Sequence, residues 1–355
     1  MKKYFFILAA AAALAACAKN EVTPVLSQEN TEIAYNVAPK TKALDPTKHE
    51  NFATDNVFAS WAFYLPEGKT WAADKATSQP YIVNSKISHQ NNIWKDQSKS
   101  YYWPKDGGSL SFLAYSLNKG DLTLAGDSGF TCTNEGGIQG HIDLNIEGNK
   151  NTDFLVADIA ADKTANENAY VFNGVPTLFK HKLSRVACTV KKAADYADKK
   201  FELTGINFLQ VATFGTYGQL DENGQPNESF APGTVKHDQV YTTAPATPQE
   251  ITTTATAVAA EDVVIYMPQT FDANAKIQVK YAVTTTVKTV TATGTTTNDV
   301  VENCVKEISL QEKFAKGWEM GKKYTINLTF ALDEITWDPA VEKWEDVANT
   351  DITIQ

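Results

Sequence analysis

The chain has one arginine, Arg185, and only 5 histidines, 4 cysteines and 3 methionines in 355 residues. With 42 acidic against 32 basic side chains and a formal charge of −10, it lacks the clustered cations that displace counterions from phosphates, which excludes nucleic acid as a partner class. The histidines, His49, His89, His141, His181 and His237, are scattered. Neither HxH nor HExxH spacing occurs, so a zinc centre would have to be assembled from distant strands. There is no GxSxG elbow, no P-loop and no Gly-rich dinucleotide turn. The sequence thus nominates no catalytic residue, metal or cofactor, and no enzymatic activity is expected.

Long apolar runs are missing as well. The one candidate, Tyr4–Ala16 after the charged start Lys2-Lys3, has 13 residues, short of the roughly 20 that a helix needs to cross a hydrocarbon core. It reads as a secretion signal over residues 1–16. Leu14-Ala15-Ala16-Cys17 resembles a bacterial lipobox, which makes Cys17 the expected lipidation site and new N-terminus. Acyl chains there would hold the protein on a membrane, each buried methylene adding about 0.8 kcal/mol. Residues 17–28 are small and polar and form a tether. With Cys17 acylated, Cys132, Cys188 and Cys304 remain, an odd number without CxxC spacing. Buried free thiols are expected rather than a disulfide framework.

What dominates the remaining chain is alternation of period two, the signature of strands with one buried face. Tyr324, Ile326, Leu328 and Phe330 alternate with Lys323, Thr325, Asn327 and Thr329. Ile277, Val279, Tyr281 and Val283 repeat the pattern, as do Leu110, Phe112 and Ala114 after the turn signal Asp106-Gly107-Gly108. The threonine-rich stretches Ile251–Thr256 and Thr284–Thr297 suit solvent-facing strands or a long hairpin. Ala193–Lys200 reads as a loop. Many short strands and almost no helical periodicity predict an all-β fold, and the length predicts two β-sandwich domains, 29–174 and 175–355, joined near Ala160–Gly174.

The stretch TLFKHKLSRVACTV, residues 177–190, is the densest group of cationic side chains. Phe179 and Leu183 share one parity and Val186, Cys188 and Val190 the other, which fits a strand with a bulge near Ser184. A helical reading through Phe179, Leu183, Val186 and Val190 fits too, and the β-rich neighbourhood favours the strand. His181 is expected to be packed and hydrogen-bonded, Lys182 and Arg185 solvated. Asp221-Glu222-Asn223-Gly224 crowds oxygen ligands as a calcium loop does, yet Asn-Gly equally makes a hairpin turn, the reading preferred here. The 7 tryptophans could stack on sugars, but Trp61, Trp103 and Trp318 lie in apolar strand contexts that suit a core.

Several stretches, taken in order, resemble one family. They are Thr31-Glu32-Ile33-Ala34-Tyr35, Thr41-Lys42-Ala43, Trp103-Pro104 leading into Leu110–Ser116, Asp153–Ala157, Phe179–Val186, Met267-Pro268-Gln269, Trp318 with Gly321–Tyr324, and Ile335 with Val341 and Trp344. Together they are similar to the fimbrillin (Mfa-like) family, lipoprotein pilins of type V pili. The resemblance implies two tandem transthyretin-like β-sandwich domains in a lipidated structural or adhesive subunit, exported to the outer membrane and assembled into a cell-surface fimbrium. It also implies that a trypsin-like protease removes a first strand and that a strand of another pilin subunit fills the vacated groove. Carried over by position, Ile33, Tyr35 and Val37 are the inward face of the removable strand, Lys42 and Ala43 flank the cut, and Ile352 and Ile354 alternate suitably for a C-terminal donor strand. The family's cleavage residue is commonly arginine, whereas the sole arginine here is Arg185. Either a lysine-tolerant enzyme cuts after Lys42, or the strand stays and the protein is an anchored accessory subunit. The competing expectation is a non-polymerising, lipid-anchored surface lipoprotein that binds a host or other glycan.

Overall fold

The alternating segments of the sequence become strands. In the computed structural model, which describes residues 31–37, 52–165, 174–242, 248–258, 264–332 and 335–343, the strands in chain order begin with β1 (Tyr35–Asn36), β2 (Val57–Leu65), β3 (Gln79–Gln90), β4 (Ile93–Asp96), β5 (Ser109–Ser116), β6 (Gly129–Thr133), β7 (Gly137–Asp143) and β8 (Leu155–Ala157). Next come β9 (Ala160–Lys163), β10 (Val175–Pro176), β11 (Phe179–His181), β12 (Ser184–Lys192), β13 (Lys199–Ala212), β14 (Phe214–Leu220), β15 (Pro226–Pro232) and β16 (Lys236–Thr242). The last are β17 (Gln249–Glu250), β18 (Thr256–Ala257), β19 (Ile265–Tyr266), β20 (Lys276–Thr291), β21 (Gly294–Ser309), β22 (Lys322–Phe330) and β23 (Ile335–Lys343). Among the described residues helix is confined to single turns such as Trp71–Asp74 and Leu310–Lys313. The expected all-β architecture is what the chain adopts.

Four sheets organise these strands. The first runs β10-β1-β4-β3-β2-β5-β8-β11, with β9 also on β5. Its two end strands are joined by only Thr177 and Leu178, a link that spans about 11 Å when fully extended, so the sheet must roll until its edges nearly meet. Ile82, Ile87, Trp94, Leu110, Phe112 and Ala114 fill the inside of the roll. The opposite parity, Ala59, Trp61 and Phe63 on β2 and Leu113 and Tyr115 on β5, packs against a smaller sheet, β15-β14-β7-β6, through Phe130, Ile138, Ile142 and Tyr217. Leu110, Phe112 and Ala114 are buried as their alternation predicts, but so are the residues between them, because β5 is covered on both faces.

The other two sheets, β18-β12-β22-β23 with β19 on β12, and β16-β13-β20-β21 with β17 on β13, face one another. Val186, Cys188 and Val190 interleave with Tyr324, Ile326, Leu328 and Phe330 on one side and Phe201, Leu203, Phe208, Ile277 and Val279 on the other. Sheet pairing crosses residue 174: β10 and β11 join the rolled sheet, and β14 pairs with β7. Pairing of β13 with β20 ends at Lys199↔Thr285, while the β20–β21 ladder continues to Thr291↔Gly294. The outer half of Thr284–Thr297 is therefore the expected long hairpin, exposed on both faces. By contrast Ile251–Ala255 forms no strand; only Thr256 enters β18. The Asp221–Gln225 turn joins β14 to β15 as a hairpin, with Gly224 at φ +68° and Asp221 accepting from the amides of Asn223 and Gln225.

Candidate strand-exchange site

Residues 31–37 lie inside the rolled sheet, between strands that are far away in sequence. Tyr35 pairs with Trp94 of β4 antiparallel and with Val175 of β10 in parallel. On one side the Ile33 amide donates to the Tyr101 carbonyl at 2.7 Å and the Trp103 amide to the Thr31 carbonyl at 3.1 Å. On the other, the Val175 amide donates to the Ala34 carbonyl at 2.8 Å and the Thr177 amide to the Asn36 carbonyl at 3.0 Å. Both edges of the segment are thus hydrogen-bonded, as an interior strand requires.

The alternation of Ile33, Tyr35 and Val37 does what the sequence predicts. All three are buried, exposed by 3%, 5% and 5% respectively, within the core that fills the roll. The Tyr35 ring stands edge-on to Phe58 and Phe112, with centroids 5.3 and 5.9 Å away. Its hydroxyl donates to Ser60 Oγ at 3.0 Å, and burial pushes the phenol pKa well above its ordinary value. Facing outward, Glu32 pairs with Lys95 at 2.9 Å. Its carboxyl is held below the usual range first by a hydrogen bond from Ser100 and then by Lys95. Gly174, at φ +79°, lies under the segment, where a Cβ would stand 2.7 Å from the Ala34 carbonyl oxygen. Gly174 ends the stretch Ala160–Gly174 expected to join the domains, and the structure shows a further demand on it, close backbone approach. Ser60, Trp94 and Gly174 are parts of the slot that no local pattern reveals. Cys17, Lys42, Ala43, Ile352 and Ile354 lie outside the described residues.

The cationic stretch 177–190 is not one bulged strand. It is β11 in the rolled sheet followed by β12 in the facing pair, and the switch of parity marks the passage from one sheet to the other. Phe179, Leu183 and Val186 enter three different cores within eight residues. His181 is packed as expected, its Nδ1 2.5 Å from Asp153 Oδ2. The expectation of a solvated Lys182 is overturned, because its Nζ lies 2.7 and 2.6 Å from the two carboxylate oxygens of Glu228 and the residue is only 3% exposed. Glu228 arrives on β15, and Tyr217 on β14 donates to the same carboxylate at 3.0 Å. Burial lowers the Lys182 ammonium pKa, opposed by the Glu228 charge. Arg185 is half-exposed. Of the remaining cysteines only Cys188 is buried; Cys132 and Cys304 are partly exposed, against the expectation of three buried thiols. Trp61, Trp103 and Trp318 are core residues as predicted.

A model of the family described as fimbrillin-like matches residues 25–344. No curated protein matches significantly. Among solved structures, a fimbrial protein from Bacteroides vulgatus shares 18% identity at a TM-score of 0.55, covering 89% of this chain and 100% of its own. A candidate cell adhesion protein from Bacteroides uniformis shares 14% identity at a TM-score of 0.50, covering 90% of this chain and 99% of its own. These likenesses carry the fold, and the family match spans nearly all of the rolled sheet and both facing sheets: the chain belongs to the fimbrillin-like family.

Proposed function

We propose that the protein is a structural or adhesive subunit of a cell-surface fimbrium, held at first on the outer membrane by acyl chains at Cys17 and assembled by exchange of residues 31–37 for a strand of another subunit. The observation that carries this reading is the seating of Ile33, Tyr35 and Val37 in a slot whose two walls are strands from elsewhere in the chain. A trypsin-like cut between Lys42 and Ala43 would leave the segment held by non-covalent contacts alone. Once it departs, β4 and β10 present open edges above an apolar groove, the arrangement that recruits an extended strand by backbone hydrogen bonds and alternate side chains. Ile352 and Ile354 supply such an alternation in the C-terminal tail. A subunit that donates at one end and accepts at the other makes a head-to-tail contact that does not close, hence a filament. The two sandwiches act as domains in this scheme, the first accepting the strand. Its work is mechanical, with no catalytic step.

The test is limited digestion of the lipid-free chain with trypsin, mapping of the new N-terminus, and denaturing electrophoresis without boiling. A ladder of heat-sensitive multimers beginning at Ala43 is expected. A chain cleanly freed of residues 18–42 that stays folded and monomeric would sink the proposal.

A further inference from the structure

A cavity of about 470 Å³ opens where β11 passes into β12, and its wall includes the chain's sole arginine. We propose that this cavity binds a small carboxylate-bearing ligand, of the size of a uronic acid or a dipeptide, with Arg185 as the anion clamp. Its volume falls within the range of small-ligand sites, about 300–1,000 Å³.

Three cations line the cavity, Arg185, Lys119 and Lys150, in a chain whose net charge is −10. Arg185 is carried on the β12 face opposite Val186, Cys188 and Val190, so its side chain leaves the hydrophobic core, and its backbone is pinned between Ile265 of β19 and Lys323 of β22. Among the described residues no carboxylate pairs with its guanidinium, whereas Lys119 and Lys150 pair with Asp121 and Glu147 at 3.2 and 2.8 Å. Those two carboxylates are well exposed, at 55% and 87%, and such pairs are weak enough to be exchanged for a ligand. A guanidinium fork matches a carboxylate with two parallel hydrogen bonds.

The floor of the cavity chooses among anions. Asp153 lies there, its Oδ2 2.5 Å from His181 Nδ1 and accepting from the Asn118 side-chain Nδ2 at 3.2 Å, its Oδ1 accepting from the Phe154 backbone amide at 2.8 Å. This carboxylate is already satisfied, and it repels a second charge, which disfavours a phosphate dianion against a monoanion. Leu117, Val264 and Ile265 offer an apolar wall for the ligand's carbon skeleton.

Binding to the mature full-length chain is measured by calorimetry and amide NMR at low salt, using glucuronate, glycylglycine, glucose and inorganic phosphate as probes. Glucuronate or glycylglycine is expected to bind with shifts at residues 117–119, 150–153 and 264–265; which of the two binds tells an acidic sugar from a peptide terminus. Arg185→Gln should weaken that binding about ten-fold or more, the worth of a charge-assisted pair, with Arg185→Lys in between. If Arg185→Gln does not fold, the rim variant Lys119→Gln with Lys150→Gln decides: weaker, less salt-sensitive binding supports the site and unchanged binding refutes it. Failure of both carboxylates to bind, equal binding of glucose, preference for phosphate, or a folded Arg185→Gln chain that binds like the wild type would each overturn the proposal. None of these results bears on strand exchange, which uses other residues.

Discussion

Tyr35→Ala asks whether residues 31–37 are core or decoration. The ring is 5% exposed and packs edge-on against Phe58 and Phe112. Truncating a buried aromatic costs about 3–5 kcal/mol, the higher end where neighbours are held in a sheet and cannot collapse. The Ser60 hydroxyl, fully buried on β2, loses the Tyr35 donor as well, which adds about 1–2 kcal/mol. The total, about 4–7 kcal/mol, is comparable to the whole stability of many domains, about 5–15 kcal/mol. Urea unfolding followed by the fluorescence of Trp94 and Trp103, which share this core, should show the midpoint falling by about 2 M if the slope is about 2–3 kcal/mol per molar. Tyr35→Phe, which removes only the hydroxyl, should cost about 1 kcal/mol.

The same substitution separates a permanent strand from an exchanged one. In the uncut chain Tyr35→Ala must destabilise. In assembled subunits that have lost residues 18–42, the position no longer exists in the slot, so variant and wild type should unfold at the same midpoint. An uncut variant as stable as the wild type would refute the packing argument, and a deficit that persists in assembled material would refute exchange.

Gly174→Val places a side chain against the Ala34 carbonyl at a backbone angle that disfavours any β-branched residue. Hydrogen exchange should then lose protection at the Val175 and Thr177 amides, which bond to residues 34 and 36, and keep it at Ile277 and Val279 in the other sandwich. Glu228→Gln leaves the Lys182 ammonium buried beside a neutral partner. Removing one member of a buried pair costs about 3–5 kcal/mol, and the partial exposure of Glu228, 35%, trims this to about 1–3 kcal/mol. Thermal melts should drop by several degrees and recover when Lys182→Met is added. Tyr241 and Tyr324, each pushed up to about 12 from 10.0 by burial, stay neutral in the fold while an unfolded chain ionises. Their folded-state pKa is raised, so the stability they contribute is whole below pH 10 and is lost as pH climbs through about 12. Loss of near-ultraviolet circular dichroism should coincide with tyrosinate absorbance in that window.

Legibility in the sequence follows the range of the physical cause. Period-two burial is local, so Lys323–Phe330 and Ile33–Val37 were readable from their own side chains. Trp61, Trp103 and Trp318 were readable as core because their neighbours are apolar too. Lys182 was not. Its burial depends on Glu228, 46 residues away, which reaches it only because β14 and β15 join β7 in a separate sheet. A parity switch such as that at Ser184 has two physical causes, a bulge or a change of sheet, and pairing partners alone distinguish them. Gly174 shows the same limit, since a turn signal in sequence is compatible with a glycine needed for a strand that crosses above it.

The slot also constrains what can replace its occupant. An incoming strand must offer apolar side chains at three alternate positions, because a shift of one residue would aim its polar face into the roll. In the tail, the parity of Ile352 and Ile354 extends back to Thr350, so two positions match in character and the third is small and polar. Neither isoleucine reproduces the reach of Tyr35 to Ser60. An exchanged strand of this sequence would therefore bury less area in the central pocket than the strand it displaces and would lose the Ser60 contact there. In the proposed scheme a cut at Lys42 would change that balance, since the departing peptide would gain the freedom of a separate molecule while the incoming strand would be held at high local concentration by docked subunits. Under the proposed scheme, cleavage is what makes the exchange favourable, and an uncut chain remains a closed, self-complemented monomer.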